Sequence, residues 1–225
     1  MYRSRAPIVL AVVALAAGPL HSATVEGKVS FEARRGQRPN PAEAVVWLQP
    51  EAGAAAGSVP APRQTVMTTR SKVLLPHVLP VPVGSTVRFP NEDPITHNLF
   101  SVSTANPFDL GLYRRGDGKA KRFERPGIVN VYCNVHPNMS AVVVVLDTPY
   151  WSQPAEDGTF AIEAPPGRYR LHAWHEQAGS TEGDVVVGAS GVVSGSTEIR
   201  LDSSRIRARP HKNKEGKPYP RVRDY

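Results

Sequence analysis

Short runs with a strand-like period dominate the pattern of hydrophobic and polar positions along the chain. Residues 25–31 (Val-Glu-Gly-Lys-Val-Ser-Phe) alternate, which predicts a strand with one buried face. Residues 141–146 are apolar throughout and include four consecutive valines, a pattern typical of a short strand buried on both faces. No segment keeps a helical period over ten residues. The pattern therefore predicts an all-β protein.

Further strands are predicted between clusters of Gly, Pro and polar residues. They lie at residues 44–48, 64–69, 78–83, 85–89, 97–102, 108–113, 119–123, 127–132, 158–164, 168–175, 183–187 and 196–201. Pro80 and Pro82 restrict the strand at 78–83 to a sheet edge or an extended segment, because proline has no N–H to donate. The turn Arg-Gly-Asp-Gly at 115–118 predicts that its flanking strands form a hairpin.

The order of these strands predicts two β units. Residues 24–60 and 149–202 each supply too few strands for a sandwich, but together they supply about six. We therefore expect them to form one small β-sandwich, with residues 61–148 inserted as a separate barrel. The Ala-, Gly- and Pro-rich stretch at 50–62 has no periodic pattern and is interpreted as a linker.

Residues 1–23 have the organisation of a secretory signal peptide. Arg3 and Arg5 precede an apolar run at 8–17, and small residues end the segment. That run is well short of the roughly twenty residues that span a bilayer. A retained, uncleaved anchor is the alternative, since His21 lies where a cleavage site favours a small side chain. With cleavage, we expect an exported protein of the periplasm that is not integral to the membrane.

Positive charge is concentrated at the C-terminus. The formal net charge is +7; residues 205–225 alone carry +6 and the signal carries +2, which leaves the rest of the chain at about −1. The charge therefore gives no indication of a nucleic-acid-binding body. Residues 203–225 are predicted to be a disordered basic tail, and attraction of an acidic partner or an anionic surface is the alternative role.

Side chains that bind metals are concentrated in two loops of the predicted barrel. Cys133, His136 and Met139 lie at three-residue spacing between two predicted strands, and His97 lies about thirty-five residues upstream. Two imidazoles, a thiolate and a weak thioether are the ligand set of a blue-copper electron-transfer site. The sequence thus predicts one copper ion, alternating between Cu⁺ and Cu²⁺, at these four residues.

Cys133 is the only cysteine of the chain. In an oxidising compartment, a lone thiol must pair between chains, stay buried and inert, or bind something. The spacing to His136 and Met139 favours the ligand role over the other two. By contrast, His172 and His175 lie three positions apart on a predicted strand, so their side chains point to opposite faces and do not predict a shared metal.

The order and spacing of these residues resemble the cupredoxin family. The motif Cys-x-x-His-Pro-x-Met at 133–139 follows Asn-x-Asp-x-x-x-His-Asn at 91–98. The likeness covers about residues 63–147, and the loop length is most similar to that of amicyanin and pseudoazurin. This resemblance implies a Greek-key β-barrel that carries copper.

The resemblance also implies a role for each motif residue. Copper would be bound by two imidazole nitrogens, one sulfur and an axial thioether, from His97 and His136, Cys133 and Met139. Asn98 would match the family's asparagine that ties the two ligand loops together, with an ordinary turn asparagine as the alternative.

Sequences outside these motifs resemble narrower groups. Pro-His-Val-Leu at 76–79, Phe-Asp-Leu-Gly-Leu-Tyr at 108–113 and Leu-Asp-Thr-Pro-Tyr at 146–150 are similar to exported, plastocyanin-like proteins labelled methylamine-utilisation proteins. Asp-Gly-Thr-Phe at 157–160 and Pro-Gly-Arg-Tyr at 166–169 resemble the carboxypeptidase-regulatory, prealbumin-like module. The second resemblance implies a smaller immunoglobulin- or prealbumin-like β-sandwich beside the barrel. Neither indicates a role in methylamine metabolism.

Together these features predict an electron carrier rather than an enzyme. One electron would enter and leave through the edge of His136. The docking surface for a redox protein, of cytochrome c-like or quinoprotein type, would comprise Pro107, Phe108, Pro137 and Asn138. The alternative is a non-redox copper-binding protein or a structural adhesion module. An oxidase or nitrite reductase would need a second, open metal site, and the remaining histidines are not grouped to build one.

Overall fold

The computed structural model describes residues 22–51, 57–195, 197–204, 206 and 211–219. All but the last two positions of the predicted signal peptide lie outside the described residues. The same holds for residues 52–56 of the predicted linker and 220–225 of the predicted tail. Within the described ranges, no helix has the length and apolar character needed to cross a bilayer.

Strands form almost all of the regular structure in these ranges. In chain order they are β1 (Ala23–Glu32), β2 (Val45–Pro50), β3 (Gln64–Val66), β4 (Thr68–Arg70), β5 (Val73–Leu75), β6 (Val78–Pro82), β7 (Thr86–Asn91), β8 (Leu99–Ser101), β9 (Phe108–Asp109), β10 (Gly116–Arg122), β11 (Gly127–Cys133), β12 (Ser140–Leu146), β13 (Trp151–Ser152), β14 (Thr159–Ala164), β15 (Gly167–His175), β16 (Gly179–Val187), β17 (Val193–Gly195) and β18 (Glu198–Asp202). One 3₁₀ turn, Pro41–Glu43, precedes β2. The all-β class predicted from the sequence is confirmed.

Strands β1 and β2 fold with β13 to β18 into one β-sandwich. Its smaller sheet has the order β14-β1-β18, and its larger sheet has the order β13-β2-β15-β16-β17. The alternating apolar residues of β1, Val25 and Val29, point into the core between the sheets. There they join large side chains of both sheets, among them Phe160, Tyr169 and Leu171. Pairing between distant parts of the sequence therefore builds this unit.

Strands β3 to β12 form the second unit, called here the barrel unit. One sheet has the order β10-β7-β4-β5, with β3 also paired to β7, and the other has the order β6-β12-β11-β8-β9. The proline-containing β6 lies at a sheet edge and pairs only with β12, as its missing N–H groups require. The core between the sheets contains Phe89, Phe123 and Val131 together with Cys133 and Met139. Two predicted ligands therefore lie in a buried, apolar interior.

Strand β12 joins the two units because both of its faces are buried. Val143 and Val145 point into the core of the barrel unit. Val142 and Val144 point the other way and pack with Trp174 of β15 in a separate apolar cluster. The run of valines in the sequence is explained by this double burial, and the barrel unit rests on the sandwich through it.

One predicted local pairing is wrong. The runs at 108–113 and 119–123 do not form a hairpin, because β9 pairs with β8 in one sheet and β10 pairs with β7 in the other. The main chain of Tyr113 bonds in both directions to His97. These bonds hold the first run beside β8, and Gly116 to Gly118 are part of β10 itself, so the Arg-Gly-Asp-Gly segment does not close a hairpin turn.

Candidate metal centre

The loop between β11 and β12 carries three of the four predicted ligands. Cys133 is the last residue of β11, and Met139 immediately precedes β12. The Cys133 N–H donates to the Met139 carbonyl, and the Met139 N–H donates to the His136 carbonyl, each over 3.1 Å. These two main-chain bonds close the loop, so the three side chains are presented from one tight turn.

His97 reaches the same place from the connection between β7 and β8. Its N–H and carbonyl pair with the main chain of Tyr113 over 3.1 and 2.9 Å. The side chain of Asn91 closes the connection, since it donates to the Ile95 carbonyl over 2.8 Å and accepts the Asp93 N–H over 2.9 Å. The His97 side chain is fully buried. The backbone on both sides of this residue is therefore fixed.

Three predicted ligands converge in the structure. The Sγ atom of Cys133 lies 3.7 Å from Nδ1 of His97 and 3.6 Å from Nδ1 of His136. One ligand atom from each of the three residues lies within 4.8 Å of the other two. In the described part of the chain, no other group of three His, Cys, Asp or Glu side chains is arranged to hold a metal ion.

The donor spacing fits a single metal ion. An ion with bonds of about 2.3 Å to sulfur and about 2.0 Å to nitrogen, at angles between tetrahedral and trigonal, places these atoms roughly 3.5–3.8 Å apart. Both measured separations, 3.7 and 3.6 Å, fall within that interval. Thiolate and imidazole donors suit copper and zinc better than hard cations such as magnesium or calcium.

Met139 favours copper over zinc. It is 1% exposed and belongs to the same core cluster as Cys133. Its main chain bonds to both Cys133 and His136, which keeps the residue beside the other ligands. Zinc sites use thiolate, imidazole and carboxylate, whereas a thioether is a soft ligand that copper accepts. The axial role of its sulfur stays a prediction from the sequence.

Asp93 orients His97, a role that was not predicted from the sequence. Its Oδ2 atom lies 3.0 Å from Nε2 of His97, and both side chains are almost fully buried. An ionised carboxylate can only accept, so Nε2 carries the proton and Nδ1, which faces Cys133, is left free to bind a metal. A carboxylate four positions before a predicted histidine ligand in the same loop was the signal available in the sequence.

The turn between β4 and β5 holds Asp93 in place. The N–H groups of Ser71 and Lys72 donate to its two carboxylate oxygens over 2.5 and 2.9 Å. Both turn residues have left-handed φ angles, 52° and 60°. Burial raises the pKa of Asp93, but the hydrogen bonds from Lys72, His97 and Ser71 outweigh it and lower the pKa below its usual value. The carboxylate therefore stays ionised beside His97.

His136 is the least buried of the three converging residues. Its ring centroid lies 4.9 Å from that of His97. Burial lowers the pKa of His136, and the neighbouring His97 and Lys72 lower it further. A lowered pKa keeps the imidazole neutral, which is the form that binds a metal.

Asn98 connects the two ligand loops through its main chain. Its carbonyl accepts the N–H of Asn134 over 2.8 Å, which links the residue after His97 to the residue after Cys133. Its side-chain amide donates to Asp109 over 2.6 Å. The side chain therefore acts on the ligand loops only through Asp109, and the direct link is made by the backbone.

Residues 211–219, called here the C-terminal strap, lie against this site, although the sequence pattern predicts a disordered tail from residue 203 onward. The Tyr219 hydroxyl donates to the Cys133 carbonyl over 2.7 Å. The His211 ring stacks on Tyr132 at a centroid distance of 4.3 Å. A composition rich in lysine and proline predicts disorder, but these aromatic rings give the segment fixed contacts with the barrel unit.

Three histidines outside the candidate centre, His172, His175 and His77, contact other side chains. His172 stacks on Trp47 at 5.0 Å between ring centroids. His175 is buried and meets Phe31 edge-on. Nε2 of His77 lies 2.5 Å from Glu176, which links the barrel unit to the sandwich.

The four residues predicted for the docking surface fall into two pairs. Pro137 and Asn138 follow His136 directly in the ligand loop, and Asn138 is exposed. Pro107 and Phe108 instead line a surface cavity beside the C-terminal strap. Of the two pairs, only Pro137 and Asn138 are therefore neighbours of the partly exposed His136 along the chain.

Comparison with solved structures finds a cupredoxin, amicyanins and a pseudoazurin. A purple cupredoxin from Nitrosopumilus maritimus is 26% identical, with 37% of this chain and 99% of that chain covered and a TM-score of 0.33. Amicyanin from Paracoccus versutus is 21% identical, with 45% and 97% covered and a TM-score of 0.33. A pseudoazurin from Sinorhizobium is 18% identical, with 39% and 76% covered and a TM-score of 0.30. At TM-scores of this size, the likeness does not carry a function to this chain. No protein-family model matches the chain, and no curated protein sequence matches it.

Proposed function

We propose that this protein is a type 1 copper electron-transfer protein, which carries one electron between redox partners. The convergence of two imidazole nitrogens on the buried sulfur of Cys133, at 3.7 and 3.6 Å, supports this proposal most directly. Bound copper would supply one-electron chemistry between its Cu⁺ and Cu²⁺ states. The protein would contribute a preformed, water-poor ligand set that neither oxidation state strongly prefers.

Each ligand residue has a distinct part in this proposal. Cys133 supplies the thiolate from the apolar core, and His97 supplies Nδ1 because Asp93 holds the proton on Nε2. Met139 is the proposed axial ligand. His136 is the proposed point of electron exchange, since it is the ligand that solvent and a partner can reach.

The setting of the carrier is also a proposal. The pattern of residues 1–23 supports export to the periplasm, where a lone cysteine is protected from oxidation when it binds a metal. A redox protein of cytochrome c-like or quinoprotein type is the proposed partner. We propose a carrier rather than an enzyme because the described residues outside the centre offer no second metal-binding group.

Reconstitution of the full chain with Cu(II) tests this function. We expect an intense visible charge-transfer band from the thiolate and a reversible one-electron potential. Cys133→Ser removes the thiolate and should abolish both. His172→Gln is the matched control, since His172 stacks on Trp47 in the other unit, and it should leave both unchanged.

Two results would contradict the carrier. Copper uptake without the charge-transfer band would favour a copper-holding protein without redox function. Retention of the band in Cys133→Ser would show that the band does not come from a thiolate, because no other cysteine exists in the chain, and would overturn the proposed centre.

A further inference from the structure

The C-terminal strap contains a folded turn built around Asn213. The N–H of Asn213 donates to the Lys217 carbonyl over 2.9 Å, and its carbonyl accepts the Gly216 N–H over 2.9 Å. Its side-chain oxygen accepts the N–H groups of Glu215 and Lys217 over 3.1 and 2.8 Å. These four bonds fix the backbone of the strap, so Lys214 leaves the turn in a defined direction.

Two aromatic rings of the strap cover the strand that ends at the thiol ligand. His211 stacks on Tyr132 with an interplanar angle of 17°. The Tyr219 hydroxyl donates to the Cys133 carbonyl over 2.7 Å, and its oxygen also lies 3.2 Å from Nδ1 of His211. The backbone of a predicted ligand is therefore held by a residue 86 positions later.

Lys214 closes a ring of four hydrogen bonds around the ligand loops. Its N–H donates to the side-chain oxygen of Asn134 over 3.0 Å, and the Asn134 N–H donates to the Asn98 carbonyl over 2.8 Å. The Asn98 amide donates to one oxygen of Asp109 over 2.6 Å, and the Lys214 ammonium donates to the other over 2.7 Å. Asn98 and Asn134 each directly follow a predicted ligand in the sequence. The ring thus joins the loop of the first imidazole to the loop of the thiol.

We propose that the C-terminal strap is a latch, which locks the two ligand loops together and holds Cys133 in its buried position. Lys214 and Tyr219 are positioning residues, because their contacts are with the neighbours and the main chain of the ligands. Opening of the site requires several of these bonds to break together. The strap therefore slows both access to the thiol and loss of a bound metal. Only the second consequence rests on the proposed copper function.

The first test measures the rate at which a soluble disulfide reagent labels Cys133 in the metal-free full chain. Because Cys133 is fully buried, labelling requires the loops to open. A stop after Ser204 removes the strap and should raise the rate at least about tenfold, as expected when several hydrogen bonds are lost. Tyr219→Phe and Lys214→Gln each remove part of the latch and should raise it by a factor of about three to ten.

Two matched controls separate the latch from the charge of the tail. Lys217→Gln removes an equal charge from the same turn, but the described hydrogen bonds of Lys217 are made by its backbone, whereas the Lys214 ammonium pairs with Asp109. Deletion of 220–225 removes charged residues beyond the strap. Both changes should leave the labelling rate within about twofold of the unaltered chain, as expected for surface changes.

The second test uses the copper-loaded protein and measures release of copper to a chelator together with the charge-transfer band. Tyr219→Phe should speed release and shift the band or the potential, which a change in overall stability alone would not do. If the unaltered chain forms no such band, the proposed function fails, and the thiol measurement still decides the latch. Equal labelling rates for the unaltered chain and the chain ended at Ser204 would overturn the latch. So would equal effects of Lys214→Gln and Lys217→Gln.

Discussion

The two imidazoles that face Cys133 are held in different ways. His97 is fully buried, its main chain is paired on both sides, and its ring is bonded to a carboxylate that a separate hairpin turn fixes. His136 is partly exposed and belongs to a loop that closes on itself through the main chain of Met139. One predicted ligand is thus part of the rigid interior, and the other is partly open to solvent.

This difference matches two separate requirements of the proposed redox site. A metal that changes charge without large rearrangement needs ligands that are held before it binds. The His97 side meets this requirement through Asp93 and the turn at Ser71 and Lys72. Electron exchange, in contrast, needs a ligand near the surface. His136 meets that requirement, and its loop gains support from the C-terminal strap through Cys133 and Asn134.

Removal of each histidine in turn should give the largest difference in stability between the two sides of the site. His97→Ala should lower the free energy of unfolding of the metal-free protein by roughly 2–4 kcal/mol, because it leaves a cavity and deprives a buried carboxylate of a donor. His136→Ala should lower it by about 1 kcal/mol or less, since the side chain is partly exposed. Denaturant titration of both metal-free variants measures the difference.

Variants of His97 and His136 should also differ in whether added imidazole restores copper binding. Added imidazole should restore a copper spectrum to His136→Gly, whose vacated position is open to solvent, but not to His97→Gly. His172→Ala, in the sandwich, controls for loss of a histidine that is not in the centre. Equal destabilisation by the two alanine variants would show that the rigid and exposed sides do not differ.

Asp93→Asn weakens the rigid side without creating a cavity. Three donors face this carboxylate, from His97, Ser71 and Lys72, and an amide cannot accept from all of them without turning its own NH₂ toward a donor. We expect a loss of roughly 1–2 kcal/mol in unfolding free energy. Copper affinity should fall about 10- to 100-fold, as for other residues that orient a metal-binding histidine.

The neighbouring carboxylate provides the control for that change. Glu92 pairs with Arg70 on the surface, at 2.6 Å. Glu92→Gln should therefore leave both the unfolding curve and copper affinity unchanged within error. If Glu92→Gln and Asp93→Asn lower copper affinity equally, general loss of negative charge is responsible, and the orienting role of Asp93 is wrong.

The sequence predicted the grouping of His97, Cys133 and His136 better than the contacts around that group, and the reason is physical. Cys133, His136 and Met139 lie in one short loop, so their proximity follows from local geometry and can be anticipated from spacing. The burial of both faces of β12 at Val142 to Val145 could also be predicted locally, because a strand that is apolar at every position has no face suited to solvent.

Contacts between a side chain and the main chain of a distant residue were not predictable in this way. The Ser71–Lys72 turn meets Asp93 more than twenty positions later, and Tyr219 meets Cys133 86 positions earlier. Neither contact leaves a periodic signal, because one uses backbone N–H groups and the other a main-chain carbonyl. The hairpin expected around residues 115–118 failed for a related reason. Local turn propensity was overridden by the pairing of Tyr113 with His97.

Relief of backbone strain in the β4–β5 turn, which holds Asp93 beside His97, should raise the stability of the protein. Lys72 has a φ of 60°, which a residue with a Cβ atom adopts at a cost of about 1–2 kcal/mol. Lys72→Gly removes that cost and should raise the unfolding free energy by roughly 0.5–1 kcal/mol after the greater entropy of glycine is subtracted. Thermal unfolding measures the gain. Lys72→Ala removes the same side chain but keeps the strain, so a gain shared by both variants would contradict this account.

The smallest expected effect concerns Asp109, which supports the loops from the strap side. The Lys214 ammonium, opposed by burial and assisted by Asn98, lowers the pKa of Asp109 from 3.8 to about 2. Because the folded-state pKa lies below the unfolded one, the unfolded chain binds the proton more tightly, and stability falls as the pH falls from about 4 to about 2. Since the Asp109 side chain is 42% exposed, solvent screens the ion pair and keeps the effect small. Asp109→Asn should therefore be less stable than the unaltered chain at pH 5, and the gap should close by pH 2. Unfolding curves that stay parallel across this range would show that Asp109 is not held by Lys214, and the strap would then lose its only described ion pair with the barrel unit.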